Sequence, residues 1–305
     1  MSSNTLPDTK QKFLTVSGLL SGAVTWGLIW YPYRLLQNMG VSGEFSTFVT
    51  YFLPLILGAL LFSAELRHIR QFPPILLWIS LAAGWTNLAY VESIIHGEVM
   101  RVLLLFYLSP LWTVILARWL LDERLNAHGY AVMLVSLSGA AVMLWQPSLG
   151  MPLPRNGAEW LGLSAGMMFA VTNVLSRKAE DLSVAHKSLA VWAGVSLLAA
   201  GAVCFQPAEM PDLATLAAQG WMLLLLVGII IFGVTLAVQY GLARAPANQA
   251  IVLFLFELVV AAISAYLLAG EVMGPQEWIG GVLIVAATLF SGKMENRRAG
   301  PENRC

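Results

Sequence analysis

The chain is short of charge. Only 11% of its 305 residues are Asp, Glu, Lys or Arg, where an ordinary soluble domain carries roughly 25%. A water-soluble fold is thereby excluded. Cysteine is nearly missing as well: Cys204 and Cys305 are the two present, which rules out a disulfide framework and a cysteine metal cluster. The four histidines stand in "HIRQF", "HGEVM", "HGYAV" and "HKSLA", with no His-Glu-x-x-His pair to hold a catalytic zinc. No Ser-Lys or paired-aspartate arrangement falls inside an apolar segment. Neither an enzyme nor a cofactor is expected. The five lysines all read as loop or tail residues, so phosphorylated solutes would find no ammonium within the apolar segments. Nucleic acid is not an expected partner.

What is present is apolar sequence. Hydrophobic residues make up 58% of the chain and the mean hydropathy is +0.73. Runs of about 20 apolar residues, enough to cross a bilayer core of roughly 30 Å, recur from end to end. Ten spans are expected, near 14–34, 45–64, 73–93, 98–119, 128–146, 158–177, 187–206, 218–240, 247–269 and 277–293. The second and seventh are the most interrupted by polar or small residues. The connections are short and the tails, 1–12 and 294–305, are polar. The first span lacks a small-residue cleavage site and reads as a retained helix.

Placing the N-terminus in the cytoplasm leaves three cations outside, Arg34, Arg101 and Arg155, and fourteen inside. This is the bias that orients membrane proteins. The expectation is a multi-pass, all-α protein of a bacterial-type inner (plasma) membrane, with the lipid bilayer as its surroundings and both termini cytoplasmic.

The two halves echo one another. With a shift of 148, "LFYLSPLWTVILARWLLDE" (105–123) falls on "LFLFELVVAAISAYLLAGE" (253–271), with six of nineteen positions identical. With a shift of 143, "LSGAVTWGLIWYPYR" (20–34) falls on "LSAGMMFAVTNVLSR" (163–177), both ending in arginine. Each half, 1–146 and 147–305, holds five spans. An odd number forces the halves into opposite orientations, an inverted repeat that puts substrate near the midplane between them.

The Trp26-Gly27 pair in the first span, Pro110 thirteen residues ahead of Glu123, the matching segment ending at Glu271 and the ten spans in two halves together resemble the drug/metabolite transporter superfamily, EamA type. The aromatic richness is most similar to its YddG-type exporters of aromatic amino acids. The ninth span departs from the pattern. Members often carry Glu-Pro where this chain has Glu257-Leu258, so the kinking proline is missing while the acid remains.

Glu257 is the sharpest feature, because an ionised side chain at mid-span costs something like 2.5–3.5 kcal/mol. Either it is a protonated acid bonded to a neighbouring helix, or it faces the pathway and takes an ammonium or a proton. Trp30, Trp85, Tyr90, Phe106 and Phe169 are candidates for an aromatic cavity wall, with the amides Asn87, Asn173 and Gln239 as polar contacts. Glu92 and Arg101 flank an outer turn that also holds His96 and Glu98. They are expected to form an exposed or semi-exposed ion-pair cluster, a candidate outer gate. Glu123 and Glu271 read as structural helix-end acids, and Trp78, Trp119, Trp145, Trp160, Trp221 and Trp278 as an interfacial belt.

The reading is a transporter that exports small organic solutes by alternating access, probed first with aromatic and other apolar amino acids. Transport is facilitated or coupled to protons, by a monomer or weak homo-oligomer. The alternatives are a broad cationic-drug or metabolite pump of the same fold, or a membrane sensor or scaffold.

Overall fold

In the computed structural model, residues 9–67, 73–145, 153–205, 218–270 and 272–294 are described. Glu271 and the cations Arg70, Arg297, Arg298 and Arg304 lie outside them. The described chain is all helical: α1 (Thr9–Asn38), α2 (Gly43–Leu61), α3 (Ser63–Arg67), α4 (Pro74–His96), α5 (Val99–Phe106), α6 (Ser109–Leu120), α7 (Ala127–Leu144), α8 (Gly157–Lys178), α9 (Val184–Phe205), α10 (Ala218–Leu242), α11 (Ala247–Phe254), α12 (Phe256–Ala269) and α13 (Pro275–Phe290). Nine segments among the described residues are long and apolar enough to cross a bilayer. The tenth span is α13, prolonged by a 3₁₀ turn, Ser291–Lys293. The interrupted second and seventh spans both form, as α2 and α9.

The packing shows why two inverted halves make one bundle. The first span (α1) packs on the eighth (α10), and its repeat mate, the sixth (α8), packs on the third (α4). The first also packs on the ninth (α12), as the sixth does on the fourth (α5 and α6). The second (α2) meets the eighth, as the seventh (α9) meets the third. Two pairs are their own mates, α2 with α9 and α7 with α13. Every one of these contacts joins one half to the other, so neither half buries its helices alone.

Two spans break at matched positions, and the backbone explains both. Pro110 has no N–H to give the Phe106 carbonyl four residues back, so the fourth span divides into α5 and α6 at Tyr107 and Leu108. With the 148 shift the mate of Tyr107 is Leu255, where the ninth span divides into α11 and α12. No proline stands there. Instead the Leu258 N–H donates to the Leu255 carbonyl at 3.1 Å, one residue short of the helical partner Phe254. This 3₁₀ tightening does what the absent proline would have done.

Close crossings rest on glycine. A Cβ on Gly194 would collide with the Ser80 carbonyl oxygen, and one on Gly84 would lie 2.5 Å from the Gly194 carbonyl, so α4 and α9 meet backbone to backbone. At the breaks, Gly166 of α8 admits the Phe106 backbone, and a Cβ on Gly27 of α1 would lie 2.7 Å from the Glu257 carbonyl.

Two sequence expectations change. Lys187 is not in a loop. Ser183 caps α9, its hydroxyl accepting from the His186 N–H, and the helix starts early enough to bury Lys187 completely. Its ammonium donates to the Ser176 carbonyl at 3.3 Å, in the last turn of α8, where a cation favours the helix end. The outer acid–base group also differs. Arg101 is 4% exposed and pairs with Glu159 of α8 at 2.8 and 2.9 Å, while also donating to the Leu153 carbonyl. Glu92 faces His96 instead, at 3.4 Å. The reason is helical: α5 begins at Val99, which turns Arg101 inward to the start of α8.

Gly194→Val should force α4 and α9 apart and cost about 3 kcal/mol or more, read as a lowered melting midpoint in detergent. Gly201→Ala, with nothing within 4 Å of the new Cβ, should leave the midpoint unchanged. Arg101→Ala strands the buried Glu159 carboxylate and should cost about 3–5 kcal/mol. The double change Arg101→Met with Glu159→Leu should recover most of that loss in the same measurement.

Candidate functional site

The matched breaks meet at the centre of the bundle. Glu257 lies ten residues beyond Ala247, about 15 Å along the span at 1.5 Å per residue, the midplane of a roughly 30 Å core. It is surrounded by protein yet keeps part of its surface open. Its hydrogen-bonding neighbour is the Tyr107 side chain, and Tyr90 stands near enough to feel its charge. Tyr107 occupies the break of the fourth span and Glu257 the first turn after the break of the ninth.

Beside them runs a chain of rings. Tyr90 meets Phe106 at 5.1 Å, Phe106 meets Phe169 at 5.6 Å, and Phe169 meets Phe254 at 5.7 Å. Trp26 closes the group, 5.5 Å from Phe254 and 6.2 Å from Phe169. The repeat registers sort these rings. Trp26 and Phe169 are mates at the 143 shift, and Phe106 and Phe254 are mates at the 148 shift. The contacts Trp26–Phe254 and Phe169–Phe106 are therefore one contact made twice. The mates Trp26 and Phe169 touch across the pseudo-twofold axis. Phe106 and Phe254 are buried, 8% and 2% exposed. Three of the rings expected to wall a cavity, Tyr90, Phe106 and Phe169, thus pack upon one another.

Three expected site residues, Tyr90, Phe106 and Phe169, join Glu257 at this centre. Trp30 does not. Its indole N–H donates to the Ser264 hydroxyl at 2.9 Å, and that hydroxyl lies 3.2 Å from the Gly27 carbonyl, tying α1 to α12. Trp85 stands apart from these rings. It is 39% exposed on the α4 face that carries Leu77, Trp78 and Leu81, and its N–H reaches Ser164 of α8 at 3.1 Å. It lies at the seam between α4 and α8. Asn87 turns to a small pocket against α2 and α9, while its amide donates back to the Ala83 carbonyl.

Asn173 and Gln239 are buried, 3% and 2% exposed. Asn173 Nδ2 and Gln239 Oε1 have no hydrogen-bond partner among the described residues. The Arg177 guanidinium donates to the Ala243 carbonyl. One turn earlier on each helix come Asn173 and Gln239, so the two amides share a level on adjacent helices.

Sequence reasoning passes over Trp26, Tyr107 and Phe254. The signal for all three lies in the repeat: Trp26 and Phe254 are the mates of Phe169 and Phe106, and Tyr107 aligns with the break before Glu257. It also passes over Trp192, fully buried against Phe232 at 5.1 Å. The belt tryptophans Trp78, Trp119, Trp145, Trp160 and Trp278 are all exposed. Glu123 lies 3.3 Å from Arg177 and accepts from the Ala247 N–H at 2.8 Å, a carboxylate at the head of α11. The Leu121 and Glu123 N–H groups both fold back on the Ala117 carbonyl, with Asp122 left-handed between them (φ +53°). That turn aims Glu123 at α11.

Among known proteins, the chain is 28% identical over 231 residues to the S-adenosylmethionine uptake transporters of Rickettsia bellii and Rickettsia prowazekii. The match covers 74% of this chain and 74% and 73% of theirs. A solved structure, named only as "Crystal structure of protein", has the same fold, with a TM-score of 0.73 at 18% identity over 93% of this chain and 97% of that one. The EamA-like transporter family matches twice, over residues 13–145 and 156–292, once for each five-helix repeat. With the inverted bundle and these two matches, the chain belongs to the EamA-like transporter family.

Proposed function

We propose that this protein exports small organic solutes, aromatic and other apolar amino acids foremost, across the inner membrane with both termini in the cytoplasm. Residues 1–146 and 147–305 act as two halves that rock about the central rings, exposing the midplane to one side at a time. The observation that carries this reading is the position of Glu257: a carboxylate just past one helix break, beside Tyr107 at the matched break, on the level of the packed rings. A solute ammonium supplies the charge that Glu257 lacks, and an aromatic side chain separates and replaces the ring contacts, each worth roughly 0.5–1.5 kcal/mol. Between solutes the same carboxyl can hold a proton. Such a carrier runs in either direction, as its gradients dictate.

S-adenosylmethionine is a second reading, favoured by the names of the two rickettsial relatives. Its purine suits the rings, and its ammonium and sulfonium suit the carboxylate.

In proteoliposomes, labelled phenylalanine should cross with wild-type protein. Glu257→Gln should slow it about 10- to 100-fold, the loss of one charged hydrogen bond of about 1.5–3 kcal/mol. Unchanged flux in Glu257→Gln that ignores a pH gradient would make the acid structural and sink the reading. Competitors separate the substrates. Excess phenylalanine should inhibit and a lipophilic cation should not. S-adenosylmethionine crossing where phenylalanine does not would establish the second reading in place of the first.

A further inference from the structure

Two buried amides have no part in the ring group or in the contact of Glu257 with Tyr107. Asn173 of α8 is 3% exposed and Gln239 of α10 is 2% exposed. Asn173 Nδ2 finds no acceptor and Gln239 Oε1 no donor among the described residues. Amides inside spans ordinarily serve as hydrogen bonds between helices, and these two have the complementary atoms to satisfy one another. They do not, although they share a level: one turn further on, Arg177 of α8 donates to the Ala243 carbonyl just past α10.

A buried donor and a buried acceptor left unmade are costly, and burial keeps bulk water from both. A guest that relieves the two together must accept one hydrogen bond and donate another. Charge narrows the choice. Residues 169–176 of α8 and 235–243 include no Asp, Glu, Lys, Arg or His, and neither does α11, which packs on both helices. Arg177, the next cation along α8, is already engaged by Glu123 at 3.3 Å and by Glu180. A bare anion or a bare cation on these amides would find no free opposite charge on the three helices. A group with both signs and no net charge suits them: the α-ammonium and α-carboxylate of an amino acid, carried on one carbon. The carboxylate accepts from Asn173 and the ammonium donates to Gln239. Length agrees as well. Phe169 of the ring group stands four residues before Asn173, about 6 Å along the helix, so an aromatic amino acid held by its head at the amides lays its side chain toward the rings.

We propose that Asn173 and Gln239 form a second station for the solute, one turn from the rings toward the Arg177 end of α8, which holds the α-amino-carboxylate head. The station rests on the reading of the solute as an amino acid, which phenylalanine and S-adenosylmethionine satisfy alike. Glu257 meets the ammonium alone; the amides take both halves of the head, and so discriminate against amines and acids that lack one of them.

The test removes the two halves of the head one at a time, and their receptors with them. Dissociation constants are measured on the full chain in detergent for phenylalanine, for phenethylamine, which lacks the carboxylate, and for 3-phenylpropanoate, which lacks the ammonium. Wild type should prefer phenylalanine to either analogue by about 10-fold or more. Asn173→Leu should bind phenylalanine no better than phenethylamine, yet still prefer it to 3-phenylpropanoate. Gln239→Met should do the reverse. Variants that keep the wild-type preferences, however weakly they bind, would overturn the proposal. If Asn173→Leu does not fold, Asn173→Asp replaces it: the shape is kept, the carboxylate is repelled, and phenylalanine should be lost while phenethylamine is retained. If wild type does not bind phenylalanine, S-adenosylmethionine and its decarboxylated form replace phenylalanine and phenethylamine. A preference between them that Asn173→Leu abolishes would support the station and overturn the phenylalanine reading. A wild type that binds neither amino acid would overturn the station. Glu257→Gln should keep the Asn173-dependent preference even where it slows flux, so failure of the transport reading and failure of the station are read separately.

Discussion

Inside a bilayer a freed backbone carbonyl has no water to turn to, and the centre of this protein is organised around two of them. Phe106 and Phe254 each end the first segment of a broken span, one because Pro110 cannot donate, the other because Leu258 donates elsewhere. A broken helix at membrane depth is tolerated only where it is buried in protein or lines a cavity. Here the sixth span supplies Gly166 against the Phe106 backbone, and the first supplies Gly27 against the backbone at Glu257. The breaks thus draw α8 and α1 inward. That approach is what brings Phe169 and Trp26 onto the rings of Phe106 and Phe254, and Glu257 within reach of Tyr107.

The ring group inherits its arrangement from the duplication. Two rings come from unbroken spans and two from broken ones, and each contact on one side of the axis has its counterpart on the other. A lone aromatic at any of these positions would be ordinary packing. Four of them in mate pairs, at the level of the only acid in the middle of a span among the described residues, form one packed group across the pseudo-twofold axis.

Much of this is legible in sequence. Low charge and apolar runs mark the spans, and the counting of cations assigns the side expected for each loop. The 148 and 143 registers hold the matched breaks and ring pairs without any coordinate. What escapes notice does so for physical reasons. Arg101 and Lys187 sit within a turn of a helix start, where a shift of three residues decides between solvent and interior, and hydropathy does not resolve that. Trp85 and Tyr90 differ only in the direction their helix turns them, one to the exposed face beside α8 and one to the rings. Trp26 escapes because a lone tryptophan is usually packing, although its mate Phe169 is a candidate.

The fourth and sixth spans are joined twice, by Arg101–Glu159 at one end and Glu123–Arg177 at the other. A beam pinned at a single point can still swivel; one pinned at both ends must release a pin before it slides or tilts against its neighbour. Among the described residues, the mate pair, first span with ninth, is tied by the Trp30 indole N–H to the Ser264 hydroxyl and by that hydroxyl to the Gly27 carbonyl. The fourth span comes from one half and the sixth from the other, so this double fastening is a strut laid across the seam between them.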